Sequence, residues 1–275
     1  MRATARALEG RPAADLVWRG VEARAADFKS RAGRAASLAL VQGPDPTADA
    51  YARQIVRQFG RGGLDVRLQP APADTASLRN VLIALSRDTD VDGVLVLTPL
   101  PEGTDVRQAI LALDPGKDVD GQHPESLGRL AQRRSALAPA TALGGLRLLE
   151  HYGVPVRGSR AVIVGRSPIV GLPLALLLLA ADATVSIAHS QTVDLPTVTR
   201  EADLLCVAAG RPGLIGPEHV RPGAVVIDFG TPRGDVQTEA VAAVASALTP
   251  VPGGTGPMTV AVLAEQTLAA ADGHV

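Results

Sequence analysis

Short runs that are apolar at nearly every position recur along the chain: "SLALV", "GVLVL", "AVIV", "LLCVAA" and "AVVI". A strand with one face in water alternates apolar and polar residues. These runs do not alternate, so they belong to sheets covered on both faces. The segments that flank them have helical spacing; the first is apolar at Leu16, Val17, Val21, Ala25 and Phe28. Strand and helix in alternation predict an α/β fold with a mostly parallel sheet. The chain has 275 residues, enough for two domains with sizeable cores.

The first series is expected to run as a helix from about Ala13 to Arg34, strand "SLALVQG", helix "DPTADAYARQIVRQFG", strand "LDVRLQP", helix "ASLRNVLIALSRD" and strand "VDGVLVLTPLP". "LDPGKDVDGQHPESLG" reads as a polar loop rich in turn formers. A switch is expected near Ala136–Ala140. Beyond it come helix "ATALGGLRLLEHYG", closed by Gly153, strand "RAVIVG", helix "PIVGLPLALLLLAAD" and strand "ATVSIAHS". A short helix near Leu195–Glu201, strands "DLLCVAAG" and "AVVIDFG", "ALTPVPGG" and a final helix "GPMTVAVLAEQTLAAADG" complete it.

The net charge is −1. No global field draws in nucleic acid or a membrane, so an anionic ligand must be held by a local site. The single cysteine, Cys206, lies inside an apolar run. That excludes a disulfide framework and a cysteine zinc site, and fits a reducing compartment. "MRATARALEGRPAADLVWRG" lacks the apolar core of a signal peptide. "LPLALLLLAADATV" is broken by Asp182 and is too short to span a bilayer. A cytoplasmic protein is expected. The basic residues are arginine except for Lys29 and Lys117, which singles out Lys117 in its polar loop.

"SRAVIVGRSPIVGLPLALLLLAADATVSIAHS" reads as strand, turn, helix, strand. Open α/β sheets bind ligands beyond the carboxyl ends of their strands. Free N–H groups at a helix N-terminus attract phosphate, and glycine lets the backbone come close. Gly165 and Gly171 can serve although the middle glycine of G-x-G-x-x-G is missing; a tight turn without ligand is the other reading. An NAD site usually ends its second strand in an acid that holds the ribose. Here the strand ends in "AHSQT". His189 and Ser190 would not repel a 2′-phosphate, and Arg166 offers a planar, multi-donor cation. NADP is expected over NAD, a solvated strand end being the alternative for His189 and Ser190.

"KDVDGQHP" gathers Lys117, Asp118, Asp120, Gln122 and His123. Its composition alone does not separate a binding loop from a solvated one. The spacing is not that of a calcium loop, and no metal is expected. "PVPGGTGPMT", Pro250–Thr259, is a second rigid, glycine-rich segment leading into a helix.

Taken in order, "PLP" at 99–101, "KDVDGQHP", "GRSPIVGLP", "ADLLCVAAGRPG", "PGAVVIDFG" and "TPVPGGTGPMTVA" resemble the methylenetetrahydrofolate dehydrogenase/cyclohydrolase family over nearly the whole chain. One segment would be weak; the ordered set is specific. The resemblance implies an N-terminal αβα catalytic domain, residues 1–138 with a returning helix in 255–275. It implies a C-terminal Rossmann-type NADP-binding domain, residues 139–254, and a cleft between the two. NADP as cofactor, a tetrahydrofolate substrate and a homodimer are likewise implied. Carried over position by position, Tyr51 packs beside the pterin and Asp120 hydrogen-bonds it. Thr98, Pro99, Leu100, Pro252, Gly253, Gly254 and Pro257 line the folate side. Thr141, Gly165, Arg166, Ser167, Ile169, Val170, His189, Ser190, Ala209 and Gly210 match the cofactor side. Ala140 replaces the cysteine of the family's P-C-T turn.

Three departures stand out. The family motif Y-x-x-x-K ends here in Ile55. The glutamine of V-Q-L-P-L-P is missing from "VLTPLP", where Thr98 is assigned its place. The aromatic after "DVDG" is Gln122. Hydrolysis of a methenyl cation needs water attack and proton movement, and Ile55 assists neither. Arg53 hardly gives up a proton and lies on another helix face; Gln54 does not titrate. Hydride transfer depends more on proximity and orientation. The expectation is therefore an NADP-dependent dehydrogenase of 5,10-methylenetetrahydrofolate with weak or lost cyclohydrolase. Three alternatives stay open: Gln122 or a water replaces the lysine; the chain is a specialised paralogue using the folate as one-carbon donor in a biosynthetic pathway; or it binds folate and nucleotide without turnover.

Overall fold

A computed structural model describes residues 5–273. Residues 1–4 and 274–275, at the outer ends of the expected domain bounds, lie outside the described residues. The first series holds β1 (Arg6–Ala7), α1 (Gly10–Ala32), β2 (Ser37–Gln42), α2 (Pro46–Arg61), β3 (Asp65–Pro70), α3 (Thr75–Arg87), β4 (Gly93–Val96), α4 (Val106–Ala109) and α5 (Pro124–Ala131). The second holds α6 (Ala140–His151), β5 (Arg160–Val164), α7 (Gly171–Ala180), β6 (Thr184–Ala188), α8 (Leu195–Thr199), β7 (Leu204–Val207), β8 (Val225–Asp228), α9 (Thr238–Val241), β9 (Ala247–Leu248) and α10 (Thr255–Ala271). The chain divides into two compact units. One is Leu16–Ala138 with the described residues from Val260 on. The other is the described residues through Asp15 with Pro139–Thr259.

The first of these units holds a three-stranded parallel sheet, order β3-β2-β4. Side chains alternate along the central β2. Ala39 and Val41 join Leu78 and Leu82 of α3 and Val94 and Val96 of β4 in one core cluster. On the opposite face Gly93 is tight enough that an added Cβ would meet Val119, Thr267 and Leu38. Helix α2 buries Ala48, Ala52, Ile55 and Phe59, one stripe at helical spacing. Asp45 caps it, accepting the N–H groups of Thr47 and Ala48 at 2.9 Å, with Pro46 in the first turn. Trp18 of α1 meets Phe59 edge-on at 6.2 Å. The lysine of the polar loop serves structure: Lys117 Nζ donates to the carbonyls of Asp88 (2.7 Å) and Leu85 (3.3 Å) at the end of α3.

The other unit holds six parallel strands in the order β1-β9-β8-β7-β5-β6. From β5 onward this is the doubly wound order 2-1-3-4-5, whose switch point lies between β5 and β7. The strands predicted from unbroken apolar runs are interior to their sheets, except β4, an edge strand that is buried and bridged on its open side by Asp118. The edge strands β3 and β6 are largely exposed, which explains the polar residues in "DVRLQP" and "TVSIA".

Three expectations are corrected. Helix α1 begins at Gly10 rather than Ala13 and ends at Ala32 rather than Arg34. "PESLG" is not loop but the start of α5, capped by His123, whose Nδ1 accepts the Glu125 N–H at 3.1 Å. Strand β1 was not anticipated; two residues carry no periodicity, and pairing with β9 makes them a strand.

Candidate functional site

In the unit containing α2, residues Asp118–Asp120 run beside β4. Asp118 bridges Val94 in parallel, and the Val119 N–H donates to the Val94 carbonyl at 3.4 Å. That register carries Asp120 to the carboxyl end of the sheet, where Thr98, Pro99 and Leu100 turn away from β4. Gln266 of α10 clamps the segment. Its Nε2 donates to the carbonyls of Val119 (2.7 Å) and Ala138 (2.9 Å), and its Oε1 accepts the Ala138 N–H at 2.9 Å.

Asp118 is buried, and its carboxylate accepts the His123 N–H at 2.6 Å, with the N–H groups of Asp120 and Gln122 also turned to it. Burial pushes its pKa up to about 7 against these donors, with the Asp120 charge helping. Asp120 accepts a hydrogen bond from Gln122 Nε2 at 2.8 Å. Tyr51 lies close enough to Asp120 to feel its charge. Burial first, and that charge second, hold the phenol well above its usual range, so Tyr51 stays an O–H donor. The His123 imidazole is shifted down by burial, toward the neutral form. One turn beyond Tyr51, Ile55 is wholly buried.

One assignment is corrected. Laid on Val96–Pro101, the six positions of V-Q-L-P-L-P put the glutamine on Leu97, which is buried, and not on Thr98, which is exposed. Two family polar positions, at 55 and 97, are therefore apolar. Sequence reasoning also missed Gly43, where a Cβ would stand 3.0 Å from the Pro99 carbonyl oxygen and 3.1 Å from Pro101.

In the unit containing β5, Gly165 leaves the strand at φ +132° and donates its N–H to the Ala188 carbonyl at 2.8 Å. A Cβ at Gly165 would overlap the Ala208 carbonyl, and one at Gly171 would overlap the Gly165 carbonyl. Close approach on both sides requires these two glycines, and the middle one is dispensable. The Ser167 hydroxyl accepts the N–H groups of Val170 (3.1 Å) and Gly171 (3.4 Å), holding the turn where α7 begins. Arg166 and Ile169 are exposed. After β6, the His189 N–H donates to Thr192 Oγ1 at 2.8 Å and His189 Nδ1 accepts the Gln191 N–H at 3.2 Å, leaving Ser190 exposed at the tip. The first acid beyond, Asp194, is committed to capping α8, with Thr197 Oγ1 donating to it at 2.6 Å. Thr141 Oγ1 is 3.3 Å from Thr259 Oγ1. Ala209 and Gly210 give their N–H groups to Asp235, another residue the sequence reading missed. A turn of close approach, a helix N-terminus and an exposed arginine, with no free acid at the strand end, fit a dinucleotide with a 2′-phosphate.

Pro252, Gly253 and Gly254 follow β9, with Pro257 on α10. The Gly10 N–H donates to the Gly253 carbonyl at 2.7 Å, and a Cβ on Gly10 would overlap the Gly254 carbonyl. A cleft of about 490 Å³ opens at the opposite, N-terminal end of the same sheet, lined by Arg157, Ser159, Asp203 and Arg221 among others. Its charges are already paired, Arg221 with Asp203 and Arg157 with Asp182. Among the described residues no group of three or more His, Cys, Asp or Glu could hold a metal ion, and no helix is long and apolar enough to cross a membrane.

Residues 8–120 match the family model for the tetrahydrofolate dehydrogenase/cyclohydrolase catalytic domain, and residues 139–275 that for its NAD(P)-binding domain. A bifunctional protein FolD of Chloroflexus aurantiacus is 47% identical over 266 residues, 93% of each chain. The crystal structure of the bifunctional FolD enzyme of Campylobacter jejuni is similar with a TM-score of 0.93 at 34% identity, covering 98% of this chain and 100% of that one. A Trypanosoma brucei FolD complexed with NADP cofactor and inhibitor gives 0.91 at 32% identity, covering 98% of each. The likeness holds for both halves and for their order along the chain. The chain belongs to the tetrahydrofolate dehydrogenase/cyclohydrolase family.

Proposed function

We propose that the chain oxidises 5,10-methylenetetrahydrofolate to 5,10-methenyltetrahydrofolate with NADP, and hydrolyses that product little faster than buffer does. The observation that carries the second half is Ile55, apolar and wholly buried one turn from Tyr51. The NADP in the Trypanosoma brucei relative supports the choice of cofactor. In this reading residues 1–138 with 255–275 serve the folate and residues 139–254 the cofactor, in a cytoplasmic homodimer.

NADP supplies the hydride acceptor when bound. The chain contributes binding and orientation. Asp120 accepts the pterin's N–H groups in charge-assisted bonds, and Tyr51, kept protonated, packs beside the ring. The turn from Gly165 to Gly171 holds phosphate, and Arg166 balances the 2′-phosphate. Orientation supplies much of what hydride transfer needs. Hydrolysis differs, because the attacking water must lose a proton. Ile55 and Leu97 neither give nor take one, and the amide of Gln122 is engaged by Asp120.

The test mixes purified chain, methylenetetrahydrofolate and NADP and follows NADPH and methenyl absorbance together. Equal build-up of both supports the proposal. NADPH without methenyl refutes the loss of hydrolysis, and neither signal refutes the dehydrogenase. Gln122, which ties up an oxygen of the pterin acid, favours a second reading: a paralogue that spends the folate as one-carbon donor in a biosynthetic pathway. Folate consumption without matching NADPH would favour it, and binding of both ligands without turnover would favour a non-catalytic protein. Light scattering tests the dimer.

A further inference from the structure

We propose that Asp235, braced by Asp228, positions the loop that walls the cofactor side of the site; the inference rests on the NADP reading above. Asp235 Oδ2 accepts the N–H groups of both Ala209 (2.7 Å) and Gly210 (2.8 Å). Asp228, at the end of β8, holds Asp235 in turn. Its Oδ1 accepts the N–H groups of Gly230 (2.8 Å) and Asp235 (3.1 Å), and its Oδ2 accepts that of Val236 (3.0 Å). Both carboxylates are about 1% exposed, and neither forms an ion pair among the described residues. Burying a carboxylate without a cation is costly unless hydrogen bonds replace its water. Backbone N–H groups do so here, and they come from two different loops.

The geometry leads from these acids to the cofactor turn. Gly210 adopts φ +63°, so two successive N–H groups converge on one oxygen, a small anion nest filled from within the protein. The residue before them, Ala208, has its carbonyl against Gly165, where a Cβ would overlap it. Moving the 208–210 loop therefore moves a wall of the turn that begins at Gly165. The main chain of Asp228 is anchored as well. Its N–H donates to Thr249 Oγ1 at 2.7 Å and its carbonyl accepts Thr255 Oγ1 at 3.5 Å. Gly234 is required here, because a Cβ would stand 2.5 Å from Asp228 Oδ2. Asp235 is buried, so it acts through the loop it grips.

The test compares Asp235→Ala and Asp235→Asn in the full chain. NADPH binding is read by fluorescence titration without turnover, tetrahydrofolate binding by calorimetry, and folding by circular dichroism. Loss of two hydrogen bonds predicts NADPH affinity about tenfold weaker in Asp235→Ala, with tetrahydrofolate affinity within about twofold. KM for NADP should rise more than kcat falls. Asp235→Asn keeps an acceptor oxygen and should recover most of the affinity. A folded Asp235→Ala with native NADPH affinity overturns the proposal, as does equal weakening of both ligands. If Asp235→Ala fails to fold, Gly210→Ala decides. It strains the same turn at positive φ with open space around the new methyl; weaker NADPH binding supports the proposal and unchanged binding overturns it. A native chain that does not bind NADPH at all overturns the functional reading too, which separates the two failures.

Discussion

Replacing Ile55 by lysine asks a position with no exposed surface to accept an ammonium. A free lysine titrates near 10.4, and full burial lowers that by about 3–5 units. Lowering it to about 7 costs roughly 5 kcal/mol, at about 1.36 kcal/mol per unit. The Asp120 charge, which reaches Tyr51 one turn away, opposes that shift. A net cost of about 2–4 kcal/mol is expected, a large part of an ordinary folding stability of about 5–15 kcal/mol. The sign follows from the lowered pKa. The unfolded chain binds the lysine proton more tightly, so the penalty is full below the folded pKa and fades as pH rises toward about 10. Ile55→Lys should therefore melt several degrees below the native chain near neutrality, with a gap that narrows in alkali. It should also hydrolyse methenyltetrahydrofolate above the buffer rate, though only partly, because Leu97 and Gln122 still depart from the family. The assay is decay of methenyl absorbance with native chain, variant and buffer alone, across one buffer series. A native rate far above buffer would refute the reasoning, because another group would then be moving the proton. A folded variant that stays at the buffer rate at every pH would show that position 55 does not serve the substrate.

Asp118, with its pKa near 7, holds in the fold a proton that the unfolded chain has lost. Its penalty builds as pH rises from about 4 to about 7 and is complete above that, so Asp118→Asn should flatten the fall in stability across this window by up to about 4 kcal/mol; parallel urea profiles for native and variant would refute this. Asp120→Ala should weaken tetrahydrofolate binding by about 2–3 kcal/mol in calorimetry, and unchanged affinity removes Asp120 from the site. Arg166→Ala should weaken NADP binding by about 1–2 kcal/mol and leave NAD untouched; equal native affinity for the two nucleotides would contradict the reading of the β6 end. Gly10→Ala forces a methyl onto the Gly254 carbonyl and should destabilise by about 1–3 kcal/mol in urea unfolding, a neutral result showing that the 252–254 loop yields freely.

The elements legible in the sequence were those whose signal is local. "LLCV" and "AVIV" are apolar throughout because both faces of their strands are covered. The departure at Ile55 was visible because motif spacing fixes its partner Tyr51 on the same helix. The family glutamine is harder to place: its position falls on Leu97, buried just past β4, and only the full motif register separates it from Thr98. Helix α5 was hidden because His123-Pro124 reads as a turn, while in the fold that pair is an N-cap and first helical residue. Asp235 was not legible. Its bonds reach back 25 and 26 residues to Gly210 and Ala209, and no pattern along the chain marks a contact that only the order of β7 and β8 creates. Gly10 was lost for the same reason, since its neighbour is Gly254.

Cys206 is the single thiol of the chain, in the middle of β7, with no exposed surface and its pKa pushed up to about 12 by burial. Alkylating reagents consume thiolate, so the closed molecule is inert to them. Labelling proceeds only through copies in which the six-stranded sheet has come apart, and its rate counts those openings. A ligand held by the closed form removes openings by mass action, slowing the label by one plus the ratio of ligand concentration to Kd. The native chain thus carries its own chemical clock for nucleotide occupancy, readable by mass spectrometry with no introduced probe.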